Sequence, residues 1–348
     1  VGLHPRTLAT VAAMARQGGG GSGRRDQPMV LANYNTVGAV HQNQVLQNLL
    51  VGYQFPESMF ISERIVPVLP VVNESDIYYR MDRSPWQRRE STLVPDRAPA
   101  REVEWTWSTD VYMAERYALA TSVSDRERRN ADDQLRLEES AALLPTQLLR
   151  LDQEIRTAEL LTRANTSGVA LSGDNRFDAA AFTANGVSIE KRFDDAKAAI
   201  RRATGGFMPT DVIIPSDVAQ VMKRDPTIRE MIKYTTNPLV NGDLPSTLWD
   251  LRVHIPTTQY TTSPEGTAEA SVSYTDIWGK NITFVYVPPV PGIRVPASAY
   301  QFRVTADNFS VSEWREERVK LDMYEVSYTQ DMKLIVPAAV YQLENAIS

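Results

Sequence analysis

SDRERRNADDQLRLEESAALLPTQLLRLDQEIRTAELLTRA, residues 124–164, carries the clearest structural signal in the chain. Ser124 is followed three residues later by Glu127, the spacing of a capping box, and Asp125 adds negative charge to the first turn of a helix. Apolar residues then fall at Leu137, Ala141, Leu144, Leu148, Leu151, Ile155 and Ala158. Their steps of 4, 3, 4, 3, 4 and 3 place all seven on one side of an α-helix. Arg136, Glu138, Glu139, Arg150, Asp152, Glu154, Arg156 and Glu159 supply a charged opposite face. At ~1.5 Å per residue, about forty residues span ~60 Å. The run stops at Asn165-Thr-Ser-Gly168.

Pro145 interrupts this stripe. It removes one backbone hydrogen bond and crowds the carbonyl of Ala141, at a cost of roughly 3 kcal/mol. Burying the Leu and Ile side chains of the stripe offers roughly 1.5–3 kcal/mol each, so the stripe outweighs the proline. The spacing predicts one long kinked helix, with two abutting helices as the alternative. Leu137, Leu144, Leu148, Leu151 and Ile155 are its expected core face. A short, Ala-containing stripe suits a helix laid on a sheet better than a two-stranded coiled coil.

At 348 residues the chain is long enough for two domains or one elaborate one. Its 43% hydrophobic and 23% charged content is that of a globular protein. No apolar run approaches the ~18–20 residues that span a membrane, so no membrane association is expected. The absence of cysteine excludes disulfides, thiolate metal sites and cysteine nucleophiles. His4, His41 and His254 form no metal-binding spacing and are read as isolated surface or turn residues. A net charge of −6 argues against a protein whose main task is to grip nucleic acid. Arginine outnumbers lysine 30 to 7, from coding bias or from a use for bidentate contacts between chains.

Residues 1–23 read as an extension: a short amphipathic segment around Leu8–Ala15, then the tether Gly18-Gly-Gly-Gly-Ser-Gly23. The modest apolar stretch after Arg6 is not read as a secretory signal, and Val1 is read as left by initiator removal or by proteolysis. Residues 24–70 read as an arm that lies on another surface, with a possible helical turn at Val45–Leu50 and extended chain at Val66-Pro-Val-Leu-Pro70. Residues 71–122 hold a hairpin. Ile77–Met81 is one strand, and Glu102–Trp107 alternates strictly, with Val103, Trp105 and Trp107 on one face. The loop between them is rich in Pro and Arg, and Asp82, Glu90 and Asp96 among the arginines suit protein partners better than nucleic acid. Residues 123–187 hold the long helix and a turn-rich stretch. There Ser172–Asp178 resembles a calcium loop only weakly, lacking its glycine and glutamate.

Residues 188–298 read as a compact α/β domain. Ser188 caps a helix with Ile189, Phe193, Ala196, Ile200 and Ala203 on one face and Gly205-Gly206 at its end. Val212–Ile214, Leu251–Ile255 and Ile282–Val287 read as strands, and helical chain starts near Ser216 and restarts after Pro226. No phosphate-binding glycine pattern follows any strand, so no nucleotide cofactor is expected. Residues 299–348 return to strand, with a phase slip at Met323–Tyr324 that suggests a bulge. Carboxylate pairs such as Glu138-Glu139 lie on a wet helix face, and no catalytic or metal-binding constellation stands out.

This order of parts resembles the major capsid proteins of tailed phages, whose Hong Kong 97-type fold also occurs in herpesvirus capsids. Tyr53-Gln-Phe-Pro-Glu57 through Ile65-Val-Pro-Val-Leu-Pro70 is similar to the family's arm leading into its extended loop. Asp125-Arg-Glu-Arg-Arg-Asn-Ala-Asp132 and the helix after it resemble the family's spine, and Phe207-Met-Pro-Thr-Asp-Val-Ile-Ile-Pro215 the first strand of its axial domain. The resemblance covers roughly residues 30 to 345 and implies an α+β fold. Its peripheral domain would be built from hairpin base, spine helix and C-terminal strands, and its axial domain from residues 188–298. It implies a non-enzymatic shell protein of the virion capsid, assembled in the host cytoplasm as hexamers and pentamers around packaged double-stranded DNA without sequence-specific contacts. Scaffold, portal and decoration proteins would be its other partners. The loop, about 82–101, would lie on a neighbouring subunit, with Arg88, Arg89, Arg97 and Arg101 making contacts between subunits. An encapsulin-like compartment is the alternative on the same fold. Part of the family joins a loop lysine to a neighbour's asparagine, but no lysine lies between Val71 and Trp107 here.

Overall fold

The computed structural model describes residues 59–80, 108–130, 137–162, 165–179, 188–233, 244–264 and 266–348, together with 83, 87–89, 92–94, 96–97, 99–100 and 102–103. The chain divides into two units, residues 1–39 and 40–348, and everything described belongs to the second. The expected extension, the possible turn at 45–50 and the alternation at Trp105 and Trp107 lie outside the described residues.

In chain order the elements begin with α1 (Ser62–Ile65), β1 (Val68–Val71), β2 (Ser75–Arg80), β3 (Ser108–Met113), β4 (Glu115–Ser124), α2 (Asp125–Asn130), α3 (Leu137–Leu160) and β5 (Ser167–Ala170). They continue with α4 (Ile189–Thr204), β6 (Asp211–Ile213), α5 (Ser216–Met222), α6 (Pro226–Lys233), β7 (Thr247–Leu248), β8 (Leu251–His254), β9 (Gln259–Thr261) and β10 (Tyr274–Asp276). The last are β11 (Ile282–Val285), β12 (Ala299–Val304), β13 (Ser310–Glu316), β14 (Leu321–Leu334) and β15 (Tyr341–Glu344).

Two mixed α/β layers result. In the first, β14 is the central strand: β4 pairs along one edge, and β13 followed by β12 along the other, with β1 parallel to β12. Pro70 is tolerated because β1 is an edge strand. Helix α3 lies on this sheet, as expected of a helix of this length, though not by the face its leucines mark. Ala141 and Ala142 pack on Val123 and Tyr324, and Leu149 packs on Val311, Val326 and Tyr328. The second layer is a six-stranded sheet in the order β5-β15-β11-β6-β8-β7. Phe193, Ile200, Val212, Met222, Ile228 and Phe284 centre its core.

Local chemistry sets the helix ends. The Ser124 amide donates to Glu127 Oε2 at 2.9 Å and the Glu127 amide to Ser124 Oγ at 3.1 Å, the reciprocal capping box expected. Ser188 Oγ accepts from the Lys191 amide at 3.1 Å, and Gly205 ends α4 at φ +80°, a left-handed position that favours glycine. Pro145 sits inside α3 without ending it, so no break into two helices occurs there. Residues 131–136, between α2 and α3, lie outside the described residues.

Four expectations need correction. First, the leucines of the stripe on α3 are not the face laid on the sheet, although Ala141 of the same stripe is buried against Val123 and Tyr324. Leu144 and Leu148 are 52% and 45% exposed, and Leu151 and Ile155 are half-buried. Leu137 opens the helix, and its side chain lies outside the described residues. The buried face is Ala142, Thr146, Leu149, Gln153, Glu154, Thr157 and Leu161. Small residues let the helix approach a sheet that already carries Tyr324 and Tyr328. Thr146 and Thr157 donate their hydroxyls to the carbonyls of Ala142 and Gln153, at 3.0 and 2.8 Å.

Second, the partner of β2 is β3 rather than 102–107; Glu102 and Val103 belong to no strand. Buried Tyr78 and Tyr112 anchor the hairpin on Phe302, the Tyr112 ring stacking at 4.6 Å. Third, β14 has no bulge. Its register with β4 runs unbroken from Leu321↔Ser124 to Gln330↔Glu115. The phase slip instead reflects two different faces of one strand, Tyr324, Val326 and Tyr328 being buried beneath α3 and Leu321 and Met323 half-buried on the other side. Fourth, β15 leaves the first sheet and pairs with β11 and β5 in the second, so the C-terminal segment contributes to both layers.

Candidate assembly surfaces

The arm enters the described fold at Ile61, where it is fastened to α3 by a buried carboxylate. Glu154 has no exposed surface. Its Oε2 accepts from the amides of Ile61 and Ser62 at 3.1 and 2.8 Å, and its Oε1 from Trp278 Nε1 at 2.7 Å. Burial pushes the carboxyl above its usual range, against the lowering effect of these hydrogen bonds, Trp278 foremost. A polar chain continues beside it. Ser62 and Thr157 share a hydrogen bond of 2.6 Å, Gln301 Nε2 donates to Ser62 Oγ, and Gln153 Nε2 donates to Gln301 Oε1. Arg303 closes the network with Gln330 and reaches Glu63 at 2.8 Å. Arm, helix, first sheet and the turn that precedes β11 are thereby tied at one place.

The hairpin β2–β3 carries the loop, residues 81–107. Its start grips the end of α4: Arg83 Nη1 donates to the carbonyls of Arg202 and Ala203 at 2.6 and 3.0 Å, and Gln87 Nε2 donates to that of Gly205. A cation on the last carbonyls of a helix opposes the negative end of its dipole. A Cβ on Gly205 would collide with the Gln87 side chain. Beyond this grip every described loop residue is exposed, Leu93 to 88%. Arg88, Arg89 and Arg97 are all on this exposed loop, and Arg101 lies outside the described residues. The structure does not bring them together with the α3 residues into one site.

Apolar surface continues along the hairpin. Ile77 and Val111 are directly paired and both exposed, with Tyr79 and Met113 on the same face. At its base, Leu69, Tyr78, Ile293, Val295, Tyr300 and Phe302 contribute to an open groove of about 410 Å³.

Charge concentrates where α2 meets β13 and β14. Arg315 donates to both oxygens of Asp125, at 3.0 and 2.9 Å, and to Asp322 at 3.0 Å, while Arg128 meets Asp322 at 2.5 Å. Hydrogen bonding from Arg315 holds the Asp125 carboxyl below the usual range. The reading of His254 is corrected: it lies in β8, and its Nε2 is 2.7 Å from Oδ1 of buried Asp211, whose Oδ2 accepts from Arg252 at 2.7 Å. The segment Ser172–Asp178 contains a short 3-10 turn, and among the described residues no group of three or more His, Asp and Glu is placed to hold a metal ion.

Sequence reasoning missed Glu154, Trp278, Arg83 and Gln87. Glu154 sat among the charged residues of the presumed wet face, and only its place one residue beyond the buried Gln153 distinguishes it. The Arg83 grip had a faint signal, a loop arginine and a Gly-Gly helix end, but nothing in the spacing joins them.

No protein-family model matches the chain. A curated relative, the major capsid protein of Burkholderia phage BcepMu, is 26% identical over 287 residues, covering 80% of this chain and 88% of that protein. Among solved structures, a phage-related protein from Bordetella bronchiseptica aligns with TM-score 0.65 and 20% identity over 89% of this chain and 99% of its own. The capsid structure of Cyanophage P-SCSP1u aligns with TM-score 0.55 and 10% identity over 84% and 89%. At these identities the structural likenesses speak to the fold. The expected resemblance therefore holds on both counts: in sequence the chain is similar to a phage major capsid protein, and in fold to phage capsid subunits.

Proposed function

We propose that this chain is the major capsid subunit of a tailed phage, built on the Hong Kong 97-type fold. Copies assemble as hexamers and pentamers into an icosahedral shell around packaged double-stranded DNA. One observation carries the reading: a long helix laid on a β-sheet beside a hairpin whose loop is exposed at every described position, in a chain similar to a capsid protein over most of its length. A loop with apolar Leu93, Val94 and Val103 in solvent is built to be covered by something else.

In this reading the layer of α3 and β14 is the peripheral domain and the layer of α4 and β11 the axial domain, with β15 lent to the latter. The loop of one subunit lies on its neighbour, and Arg88, Arg89, Arg97 and Arg101 face that neighbour. The net charge of −6 agrees with a wall to which packaged DNA does not adhere. Scaffold, portal and decoration proteins complete the particle. The test is electron microscopy of particles from infected cells, with nuclease-resistant DNA measured in the same fraction. DNA-filled shells are expected; shells filled with protein would favour an encapsulin-like compartment, and no shells would defeat the reading.

A further inference from the structure

Helix α3 meets the sheet with one face and carries a leucine-rich stripe on the other, where Leu144 and Leu148 are exposed and Leu151 and Ile155 half-buried. At about 100° per residue, Leu144, Leu148, Leu151 and Ile155 fall within about 60° of one another. They lie roughly opposite Ala142, Thr146, Leu149, Gln153 and Thr157, which meet the sheet. Leu144 and Leu148 are about half exposed. A second leucine-rich stripe on the outer face of a helix is surface that needs cover.

We propose that the cover is this chain's own arm, with Val45, Leu46, Leu49 and Leu50 seated on the outer stripe of α3. Three observations point to it. The arm arrives at the right place: the Ile61 and Ser62 amides are bonded to Glu154 of the same helix. Glu154 is only about 9 Å along the axis from Leu148 and about 15 Å from Leu144. The reach suffices, since residues 51–60 span at most about 33–36 Å when extended. The chemistry matches as well. Residues 27–56 contain no Asp, Glu, Lys or Arg, so no charge is desolvated by laying them on leucines. The four apolar side chains fall at i, i+1, i+4 and i+5, one face of a helix. A short tether also gives the arm an effective concentration of order millimolar at the stripe, well above that of a second copy in a dilute solution. The inference stands independently of the capsid reading.

The absence of cysteine makes the test direct. Leu148→Cys in the full chain introduces a sole thiol whose maleimide labelling is timed in dilute, unassembled subunit, against Thr92→Cys in the exposed loop. The thiol at position 148 is expected to react at least about tenfold more slowly, at a rate independent of protein concentration. Adding Leu46→Ser, Leu49→Ser and Leu50→Ser should raise it to the control rate. Circular dichroism melts check each variant, and Leu144→Cys replaces any that fails to fold. Equal rates in the unassembled subunit would overturn the proposal. So would slowing that appears only on assembly, which assigns the stripe to a second copy, or slowing that the serines do not relieve.

Discussion

Replacing Glu154 by Ala attacks the joint that fastens the arm and the turn before β11 to α3. The substitution removes the acceptor of three hydrogen bonds, from Ile61, Ser62 and Trp278. Hydrogen bonds to a charged group contribute about 1.5–3 kcal/mol each, and each buried donor left without a partner costs about 1–3 kcal/mol. Relief of the cost of burying a carboxylate offsets part of this, leaving about 3–5 kcal/mol of lost stability. Glu154→Gln keeps one acceptor oxygen, which serves either the two amides or Trp278 but not both, and should cost about 1–3 kcal/mol. Urea unfolding of the subunit, followed by tryptophan fluorescence, measures both. A loss below about 1 kcal/mol for Glu154→Ala would refute the reasoning, because three orphaned buried donors cannot be that cheap. The pH dependence supplies a second check. The folded carboxyl titrates above its unfolded counterpart, so between the two values the folded state holds the proton that the unfolded state has released. Its contribution is therefore fully present below the unfolded value and falls as pH rises through the folded one. Glu154→Gln should remove that fall.

Asp307 should behave in the opposite sense. Burial opposes its ionisation, but hydrogen bonds from Ser310, Thr329 and Ser327 outweigh it and hold the carboxyl below its usual range. Its contribution is lost as pH falls through the lowered value, and Asp307→Asn should flatten the acid limb of the stability curve. Arg83→Ala frees the loop from α4, so amide exchange across residues 83–103 should quicken while the melting temperature moves by less than a few degrees; unchanged exchange would mean the grip does not hold the loop. Changing Arg88, Arg89, Arg97 and Arg101 together to Ala should leave the subunit folded but reduce shell yield, since exposed pairs contribute only ~0–1 kcal/mol each and matter by repetition. Normal yield would remove these residues from the interface. Denatured particles should run as one band near the 39.0 kDa monomer, because no lysine lies between Val71 and Trp107; a ladder of covalent oligomers would show that a lysine elsewhere forms the bond.

Helix α4 was legible up to its last turn, where Thr204 is buried and the expected Ala203 is exposed, because elsewhere its period and its burial coincide. Ser188 caps it, and Ile189, Phe193, Ala196 and Ile200 are all inside. Helix α3 was legible as a helix, but its orientation was not. Period analysis finds leucines, whereas the sheet receives Ala142, Thr146, Gln153, Glu154 and Thr157. Thr146 and Thr157 bond carbonyls of their own helix, but Gln153 and Glu154 become acceptable inside through partners far along the chain, Gln301 and Trp278. No local pattern announces such partners. The hairpin was placed correctly on its first strand and wrongly on its second, because the ring stack of Tyr112 on Phe302, not alternation, selects the register. His254 looked isolated for the same reason: Asp211 is adjacent across a parallel strand pair and distant in sequence. The described loop arginines, Arg88, Arg89 and Arg97, are exposed, and their exposure follows from the loop they sit on rather than from any spacing in the sequence.

The most direct test of the central claim is a cryo-electron microscopy reconstruction of the particles this chain forms when purified. The account predicts a closed icosahedral shell of hexamers and pentamers, with α3 along the wall and residues 81–107 of each subunit lying on its neighbour. A chain that stays monomeric under assembly conditions, or builds open filaments with the loop folded on its own subunit, would contradict it.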